Sequence, residues 1–290
     1  MSTTQTATTT GGWAQAHLPV VVGVDGSDGS LSALDWAAAE AAAAGADLRV
    51  VTTVSDHASG HTRRRAERAV AAWADQVSAV TSPEHVSGTV ANGSPEHALL
   101  DEVGQARMLV VGKRGLGAIP RLLVGSTSLW VAGRSPVPVA VVPTVWDQAS
   151  HRTEPVVVGL DPERPHHQLL HLAFRRAHRL QVPLVVVHGW EPRSSTPEED
   201  RESEEAAAHL LFETSLHAWR ERFPDVEARA EASSHHPAMA VLAAMERGAQ
   251  IAILGRHGGH RFAAFGFGSV TRAVLHYAEV PVLVVPNDDD

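Results

Sequence analysis

Short runs of β-branched apolar residues alternate with amphipathic or alanine-rich stretches along the whole chain. In the first half, VVVGVD and DLRVVTTV predict strands, and SLSALDWAAAEAAAA between them predicts a helix. An amphipathic helix, the strand HVSGTVA, the helix PEHALLDEVGQA and the strand MLVVG follow, before a last helix at 126–133 and the strand PVAVVP. Strands that alternate with helices predict a parallel sheet with right-handed crossovers.

The same order of elements occurs a second time. LPVVVGVDGS at 18–27 matches EPVVVGLDPE at 154–163, ADLRVVTT matches VPLVVVHG, and the closing PVPVAVVP matches EVPVLVVP. The second copy is longer because it contains PRSSTPEEDRESEE, which we interpret as an acidic loop. Internal repetition of this kind indicates two copies of one domain.

The repeat divides the chain into segments. We predict a flexible tail at 1–17, a first domain at 18–144, a linker at 145–153, a second domain at 154–286 and an acidic tail at 287–290. Each domain is expected to be α/β, with a doubly wound, five-stranded parallel sheet in the order 3-2-1-4-5. The closing strands are apolar on both faces, so we expect them to pair across a pseudo-twofold axis, because exposed apolar edges promote aggregation.

A glycine motif follows the fourth strand of each copy. VVGKRGLGAIPRLLVGSTS has the spacing Gly-x2-Gly-x9-Gly-Ser, and ILGRHGGHRFAAFGFGSVT repeats it. Glycines let a backbone approach an anion closely, and the amides at a helix N-terminus point towards it, so this order is typical of a phosphate site. We expect positive φ at Gly125. Lys113, Arg114 and Arg121 are candidates for neutralising phosphate, with solvated surface as the alternative. The candidates in the second copy, with the same alternative, are Arg256, His257, His260 and Arg261.

The predicted strand order brings two motifs together. Strands 1 and 4 are neighbours at the topological switch point, where folds of this class bind ligands. The loops after these strands carry Asp25 and the first glycine motif, so both are expected at one crevice. Asp161 and the second motif repeat this arrangement.

Composition and charge restrict the function classes. The 290 residues are 44% apolar and 20% charged, with a formal net charge of −9, which argues against nucleic acid or an anionic membrane as the main partner. Without cysteine there are no disulfides or thiolate metal sites. The polar start MSTTQTATTTGGWAQAH does not fit a signal peptide, and no apolar run is long enough to span a bilayer. We therefore expect a cytoplasmic protein.

Neither a metal site nor a catalytic site is predicted. His167 and His171 have a spacing that can chelate zinc on a helix, but no HExxH motif surrounds them, so exposed helix histidines are the favoured interpretation. The chain contains no G-x-S-x-G elbow and no Walker-type lysine after the glycines.

The strand-end aspartate, the glycine motif and the closing VPVxVVP strand together resemble the universal stress protein family in its tandem two-domain form, from about Leu18 to Pro286. The resemblance implies a stress-response regulator that binds an adenine nucleotide, usually ATP, with or without Mg²⁺, and is not a dedicated catalyst. In the first copy it assigns to the nucleotide Gly23, Val24, Asp25, Thr53, Gly112, Gly115, Gly125, Ser126, Thr127 and Ser128. In the second copy it assigns Gly159, Leu160, Asp161, Gly189, Gly255, Gly258, Gly268, Ser269, Val270 and Thr271.

Three functions stay open from the residues alone. They are an ATP-binding regulator whose occupancy changes conformation or partner binding, a weak ATPase, and a ligand-free interaction module whose glycines serve only turning. The residues do not separate ATP from ADP, AMP or a cyclic dinucleotide, and a homodimer also stays open. We expect tighter binding in the first copy, because Pro162 and Glu163 follow Asp161 in the second copy. The second glycine loop also contains the bulky Phe262, Phe265 and Phe267, which either narrow the pocket or pack against the neighbouring domain.

Overall fold

The computed structural model describes residues 18–78, 85–116, 124–162, 167–190, 198–256 and 266–286. Its strands are β1 (Val20–Gly23), β2 (Leu48–Val54), β3 (Val86–Asn92), β4 (Met108–Gly112), β5 (Val139–Val142), β6 (Val156–Gly159), β7 (Leu184–Gly189), β8 (Ala228–Ser233), β9 (Ile251–Gly255) and β10 (Val282–Val285). Its helices are α1 (Asp28–Ala44), α2 (Gly60–Val77), α3 (Pro95–Glu102), α4 (Ser126–Arg134), α5 (His167–Leu180), α6 (Glu198–Arg222), α7 (Pro237–Glu246) and α8 (Ser269–Tyr277).

The strands form one sheet in the order β3-β2-β1-β4-β5-β10-β9-β6-β7-β8. Read inward from its outer edge, each half has the predicted order 3-2-1-4-5, and the pairs within each half are parallel. The α/β fold class is therefore confirmed. We call the half from β1 to β5 the first repeat and the half from β6 to β10 the second repeat.

The two repeats meet through their closing strands. β10 lies antiparallel to β5, with Leu283 opposite Ala140 and Val282 opposite Val141. Ala140 and Leu283 occupy matching positions in the two repeats, so the local twofold axis passes between them. The predicted pairing across a pseudo-twofold axis is confirmed. Each strand covers the apolar edge that the other would otherwise expose.

Two hydrophobic cores lie on opposite faces of the sheet. Alternation along β1 sends Val20 and Val22 into the core beneath α1 and α5, and sends Val21 into the core beneath α3 and α4. Each core contains buried residues from both repeats, including Phe174 on one face and Leu254 on the other. The sheet thus carries a continuous apolar layer on each face across the junction.

The acidic insertion of the second repeat differs from its prediction. We expected a loop, but α6 begins at Glu198 and continues for 25 residues to Arg222. Glutamate and alanine are strong helix formers, so the acidic segment continues the helix that packs on β8. Residues 191–197 lie outside the described residues, as do the tails predicted at 1–17 and 287–290.

The predicted linker at 145–153 contains local structure of its own. Asp147 accepts a hydrogen bond from the Ala149 N–H at 3.0 Å and one from the Ser150 hydroxyl. The ring of His151 stacks on Trp146, with 4.2 Å between the ring centroids. These contacts hold the segment as a turn beside the end of β5.

Candidate functional site

A cavity of about 430 Å³ lies at the carboxyl ends of β1 and β4, where the strand order reverses direction. Parallel strands deliver their following loops to the same edge, which is why residues far apart in the chain meet here. The cavity is lined by every residue predicted for the first repeat: Gly23, Val24, Asp25, Thr53, Gly112, Gly115, Gly125, Ser126, Thr127 and Ser128.

Asp25 closes the turn after β1 and ties it to the glycine loop. Its Oδ1 accepts hydrogen bonds from the Ser27 N–H at 2.9 Å and the Ser27 hydroxyl at 2.6 Å. Its Oδ2 accepts from the Leu116 N–H at 2.9 Å. Burial by itself would raise the pKa of Asp25, but these hydrogen bonds outweigh burial and hold the pKa below its ordinary value. The carboxylate therefore joins two loops as an ionised anchor.

Two glycines allow the loops to approach closely. A Cβ on Gly115 would lie 2.5 Å from Asp25 Oδ2, and a Cβ on Gly112 would lie 2.5 Å from Gly29 O. A side chain at Gly112 would require the backbone at Gly29 to move, and one at Gly115 would displace the Asp25 carboxylate. Gly125 differs, since it precedes α4 in an extended conformation with φ −68°. The prediction of positive φ at Gly125 is wrong, because the residue adopts a helix N-cap geometry that other residues share.

The N-terminus of α4 contributes three consecutive hydroxyl residues in different settings. Ser128 is buried, and its hydroxyl donates to Gly112 O at 2.6 Å, which fixes the helix to the end of β4. The Thr127 hydroxyl donates to Glu96 Oε1 at 3.2 Å, whereas Ser126 is exposed. Gly125 provides no side-chain cap, so the first-turn amides keep their capacity to bind an anion.

Lys113 and Arg256, the residues directly after β4 and β9, contact the opposite repeat instead of the cavity of their own repeat. Lys113 Nζ donates to His276 O at 2.9 Å and to Ala278 O at 2.6 Å, at the carboxyl end of α8. Arg256 Nη1 donates to Ser135 O at 2.8 Å, at the carboxyl end of α4. Neither of the two interpretations left open for these residues, phosphate neutralisation and solvated surface, describes their contacts, because both cations bind helix C-terminal carbonyls of the opposite repeat.

Burial, assisted by the charge of Arg114, lowers the pKa of Lys113 to about 8, against an opposing effect of Glu279. Arg114 itself does line the cavity, as the positively charged residue among the described lining residues. Arg121 lies outside the described residues, and so do the histidines and arginine at 257, 260 and 261.

The second repeat has a matching cavity of about 330 Å³ at the carboxyl ends of β6 and β9. The Thr271 hydroxyl donates to Gly255 O at 2.9 Å, as Ser128 does to Gly112 in the first repeat. Gly258 lies outside the described residues. All other residues predicted for this repeat line the cavity: Gly159, Leu160, Asp161, Gly189, Gly255, Gly268, Ser269, Val270 and Thr271.

Substitutions along the wall make the second cavity smaller. Gly189 replaces Thr53, and a Cβ there would lie 2.7 Å from Pro237 Cα, so α7 packs where the first repeat has room for a side chain. Leu254 replaces Val111, and its Cδ2 would lie only 2.5 Å from a Cβ on Gly159. Phe267 packs into the hydrophobic core at 3% exposure, while Phe262 and Phe265 lie outside the described residues.

Some lining residues escaped the sequence analysis. Ser30 accepts from the Gly26 N–H at 3.1 Å and donates to Ser27 O at 2.9 Å, which supports the turn that carries Asp25. The first turns of α3 and α7 also line the cavities. Their signal was present in the sequence, because Pro95 and Pro237 begin these helices at matching positions.

The histidine-rich second repeat shows no metal site within the described residues, where no group of three or more potential ligands is close enough to hold an ion. His167 and His171 instead contact the ring of Trp219, with centroid distances of 5.1 and 6.1 Å. Among the described residues of the whole chain, no helix has the length and apolar character that crossing a membrane requires.

Comparisons with known proteins agree across nearly the full chain. The model of the universal stress protein family matches residues 18–143 and again 153–286. Universal stress protein Rv1996 of Mycobacterium tuberculosis is 31% identical over 310 residues, which cover 94% of this chain and 97% of that protein. A universal stress protein structure from Archaeoglobus fulgidus covers 92% of this chain and 98% of its own, with 18% identity and a TM-score of 0.68. A universal stress protein solved in complex with cAMP covers 45% of this chain and 99% of its own, with 32% identity and a TM-score of 0.38.

Proposed function

The chain belongs to the universal stress protein family, and from that premise we propose that it is a regulatory protein that binds ATP at one site in each repeat. Occupancy of these sites would change the loops around them and thereby the contacts the protein makes with a partner. The observation that carries the proposal is the cavity of the first repeat, which combines the Asp25 turn, the glycine loop and the N-terminus of α4.

The two ends of this cavity suit different parts of a nucleotide. At one end, Val24, Val51 and Leu99 offer apolar contacts, and the end of β2 at Thr53 offers backbone hydrogen-bonding groups. This combination suits a purine base and ribose. At the other end, the uncapped amides of α4 and the nearby Arg114 suit phosphate. We expect the adenosine to lie towards β2 and the phosphates towards α4.

The two sites are expected to differ in affinity. The second cavity is smaller, at about 330 Å³ against about 430 Å³. Close packing of α7 at Gly189 and the longer side chain of Leu254 narrow the end that would receive the base. We therefore expect ATP to bind the first repeat more tightly.

Titration calorimetry on the full chain tests the proposal, with ATP, ADP, AMP and cAMP as probes, each with and without Mg²⁺. ATP at 100 times its dissociation constant should stabilise the fold by about 2.7 kcal/mol per occupied site, measured as a rise in the unfolding midpoint. Asp25→Ala should remove the tighter site and Asp161→Ala the weaker one. Asp101→Ala is the control, because this exposed carboxylate on α3 lines neither cavity.

Absence of heat and of any thermal shift with all four probes would contradict nucleotide binding. Tighter residual ATP binding in Asp25→Ala than in Asp161→Ala would reverse the order of the two sites. Mass spectrometry of protein purified without added nucleotide, then denatured, gives an independent readout, since a retained adenine nucleotide is expected in the released fraction.

A further inference from the structure

Each glycine loop sends a cation into the opposite repeat. Lys113 directly follows Gly112 of the first cavity, and its ammonium group contacts the carbonyl oxygens of His276 and Ala278 at 2.9 and 2.6 Å. These carbonyls terminate α8, whose other end begins with Ser269 and lines the second cavity. A residue next to one cavity therefore holds the far end of the helix that forms the other.

The reverse contact is also present. Arg256 directly follows Gly255 of the second cavity, and its Nη1 donates to Ser135 O at 2.8 Å. Ser135 is the C-cap of α4, the helix whose N-terminus lines the first cavity. Arg256 and Ser135 are both buried, at 8% and 1% exposure, so this contact is shielded from solvent.

Backbone packing reinforces the second contact. Gly266 lies two residues before Gly268 of the second glycine motif. It has φ +77°, a conformation that favours glycine. A Cβ on Gly266 would lie 2.2 Å from Gly133 O, in the last turn of α4. The loop of the second repeat thus rests directly on the carboxyl end of the first repeat's helix.

The same loops also grip their own helices, at the opposite ends. Gly112 O accepts from Ser128 in the first turn of α4, and Gly255 O accepts from Thr271 in the first turn of α8, at 2.6 and 2.9 Å. The contacts consequently form a closed ring, which runs through the glycine loop after β4, helix α4, the glycine loop after β9 and helix α8. Each nine-residue helix is about 13 Å long, so only about two and a half helical turns separate its two contact points.

We propose that Lys113 and Arg256 are positioning residues that couple the two nucleotide sites, each setting the orientation of the helix whose N-terminus forms the phosphate end of the opposite site. The coupling rests on the proposed nucleotide binding, while the ring of contacts exists without ligand. Because coupling between two sites is reciprocal, ATP in either site changes the affinity of the other by the same factor.

The experiment measures the effect of Lys113→Met at the far site. In an Asp25→Ala background, where binding reports the second repeat, Lys113→Met should weaken ATP binding by at least about fivefold, the lower end of typical coupling factors. Lys113→Arg should restore it, because a guanidinium can reach the same carbonyls. Arg256→Met in an Asp161→Ala background should weaken the first site in the same way, and it makes the test if Lys113→Met does not fold.

A readout without nucleotide separates this inference from the proposed function. The Arg272 N–H bonds to Gly268 O at 3.1 Å in the first turn of α8, at the end remote from Lys113. Its hydrogen exchange in the ligand-free full chain should be faster in Lys113→Met. The control is Glu102→Gln, which breaks a partly exposed pair with Arg49 within the first repeat and touches neither glycine loop. It should leave exchange at Arg272 unchanged under native conditions.

Unchanged Arg272 exchange together with unchanged ATP affinity at the second site would overturn the coupling. A loss of affinity confined to the first site, measured for Lys113→Met in an Asp161→Ala background, would overturn it as well, because Lys113 would then act on its own repeat. If the wild type binds no nucleotide, the proposed function fails, and Arg272 exchange alone decides whether Lys113 positions α8.

Discussion

Replacing Glu40 by glutamine should destabilise the whole protein, because this carboxylate holds the two repeats together. Glu40 lies in α1 with 4% of its side chain exposed. Its oxygens accept hydrogen bonds from Arg176 Nη1 and Arg179 Nη2 of α5, both at 2.6 Å. The Arg176 side chain is 7% exposed and lies over the ring of Trp36 at 5.4 Å, so it has little access to solvent.

The magnitude follows from what the substitution leaves behind. Glutamine keeps the shape of Glu40 but removes the charge and turns an amide N–H group towards a guanidinium that also donates. Removing one partner of a buried ion pair typically costs about 3–5 kcal/mol, because the remaining charge stays buried without compensation. For a chain of this size that corresponds to a fall in Tm of roughly 6–20 °C.

Urea unfolding of Glu40→Gln and wild type measures the effect, with Glu102→Gln as the control. Glu102 pairs with Arg49 at 3.4 Å, but the two side chains are 26% and 36% exposed, so its loss should cost less than about 1 kcal/mol. A Glu40→Gln variant within that same range would refute the assigned role of the buried pair.

The pH dependence gives a second criterion for Glu40. Burial by itself would raise the pKa of Glu40, but the charges of Arg176 and Arg179 outweigh burial and lower the pKa below its ordinary value of 4.5. The stabilisation is therefore complete above about pH 4.5 and is lost as pH falls through the folded-state pKa. If wild type and Glu40→Gln instead had the same free energy of unfolding at neutral pH, this pH dependence would be contradicted.

Two further outcomes are expected. In calorimetric titration, Gly115→Val should weaken ATP binding at the first site by about tenfold or more, because its Cβ would lie 2.5 Å from Asp25 Oδ2. The control Gly104→Ala, at a position with open space around it, should bind ATP as the wild type does. Burial, followed by the charges of Arg175 and Arg222, lowers the pKa of His171 below its ordinary value of 6.5. The free energy of unfolding measured in urea should therefore fall as pH drops through about 6.5, and it should fall less steeply in His171→Gln.

Elements that depend on strand order were predictable from the sequence. The alternation of strands and helices, together with general connection rules, predicted the order within each repeat and the meeting of Asp25 with the glycine loop. Apolar character on both faces of the closing strands predicted the pairing of β5 with β10. These features follow from backbone connectivity and burial, which leave a clear trace in the pattern of residue types.

Side-chain directions at the site were not predictable in the same way. Lys113 stands beside a predicted phosphate loop, and the sequence gives its charge but not the position of competing acceptors. The carbonyls at the end of α8 are far away in sequence and become its partners only after the repeats dock. The extended backbone of Gly125 was missed for a similar reason, since glycine at a helix start serves both capping and left-handed turns.

Pairing of two similar repeats constrains contacts on the axis differently from contacts away from it. On the axis, a residue contacts the residue at the matching position of the other repeat, as Glu40 contacts Arg176 and Ala140 lies opposite Leu283. If the two repeats were identical in sequence, such a contact would place two equal charges, or two side chains of equal size, against each other. These pairs are accordingly complementary, an acid with a base and a small residue with a large one.

Away from the axis, each contact occurs twice between two different positions, and both copies can keep the same chemistry. Lys113 and Arg256 illustrate this, since each presents a cation to backbone carbonyls that exist in either repeat. The complementary pairs on the axis therefore favour pairing of the first repeat with the second repeat over pairing of two identical repeats. The duplicated cation contacts connect the two cavities in both directions, so a change at either cavity has the same route to the other.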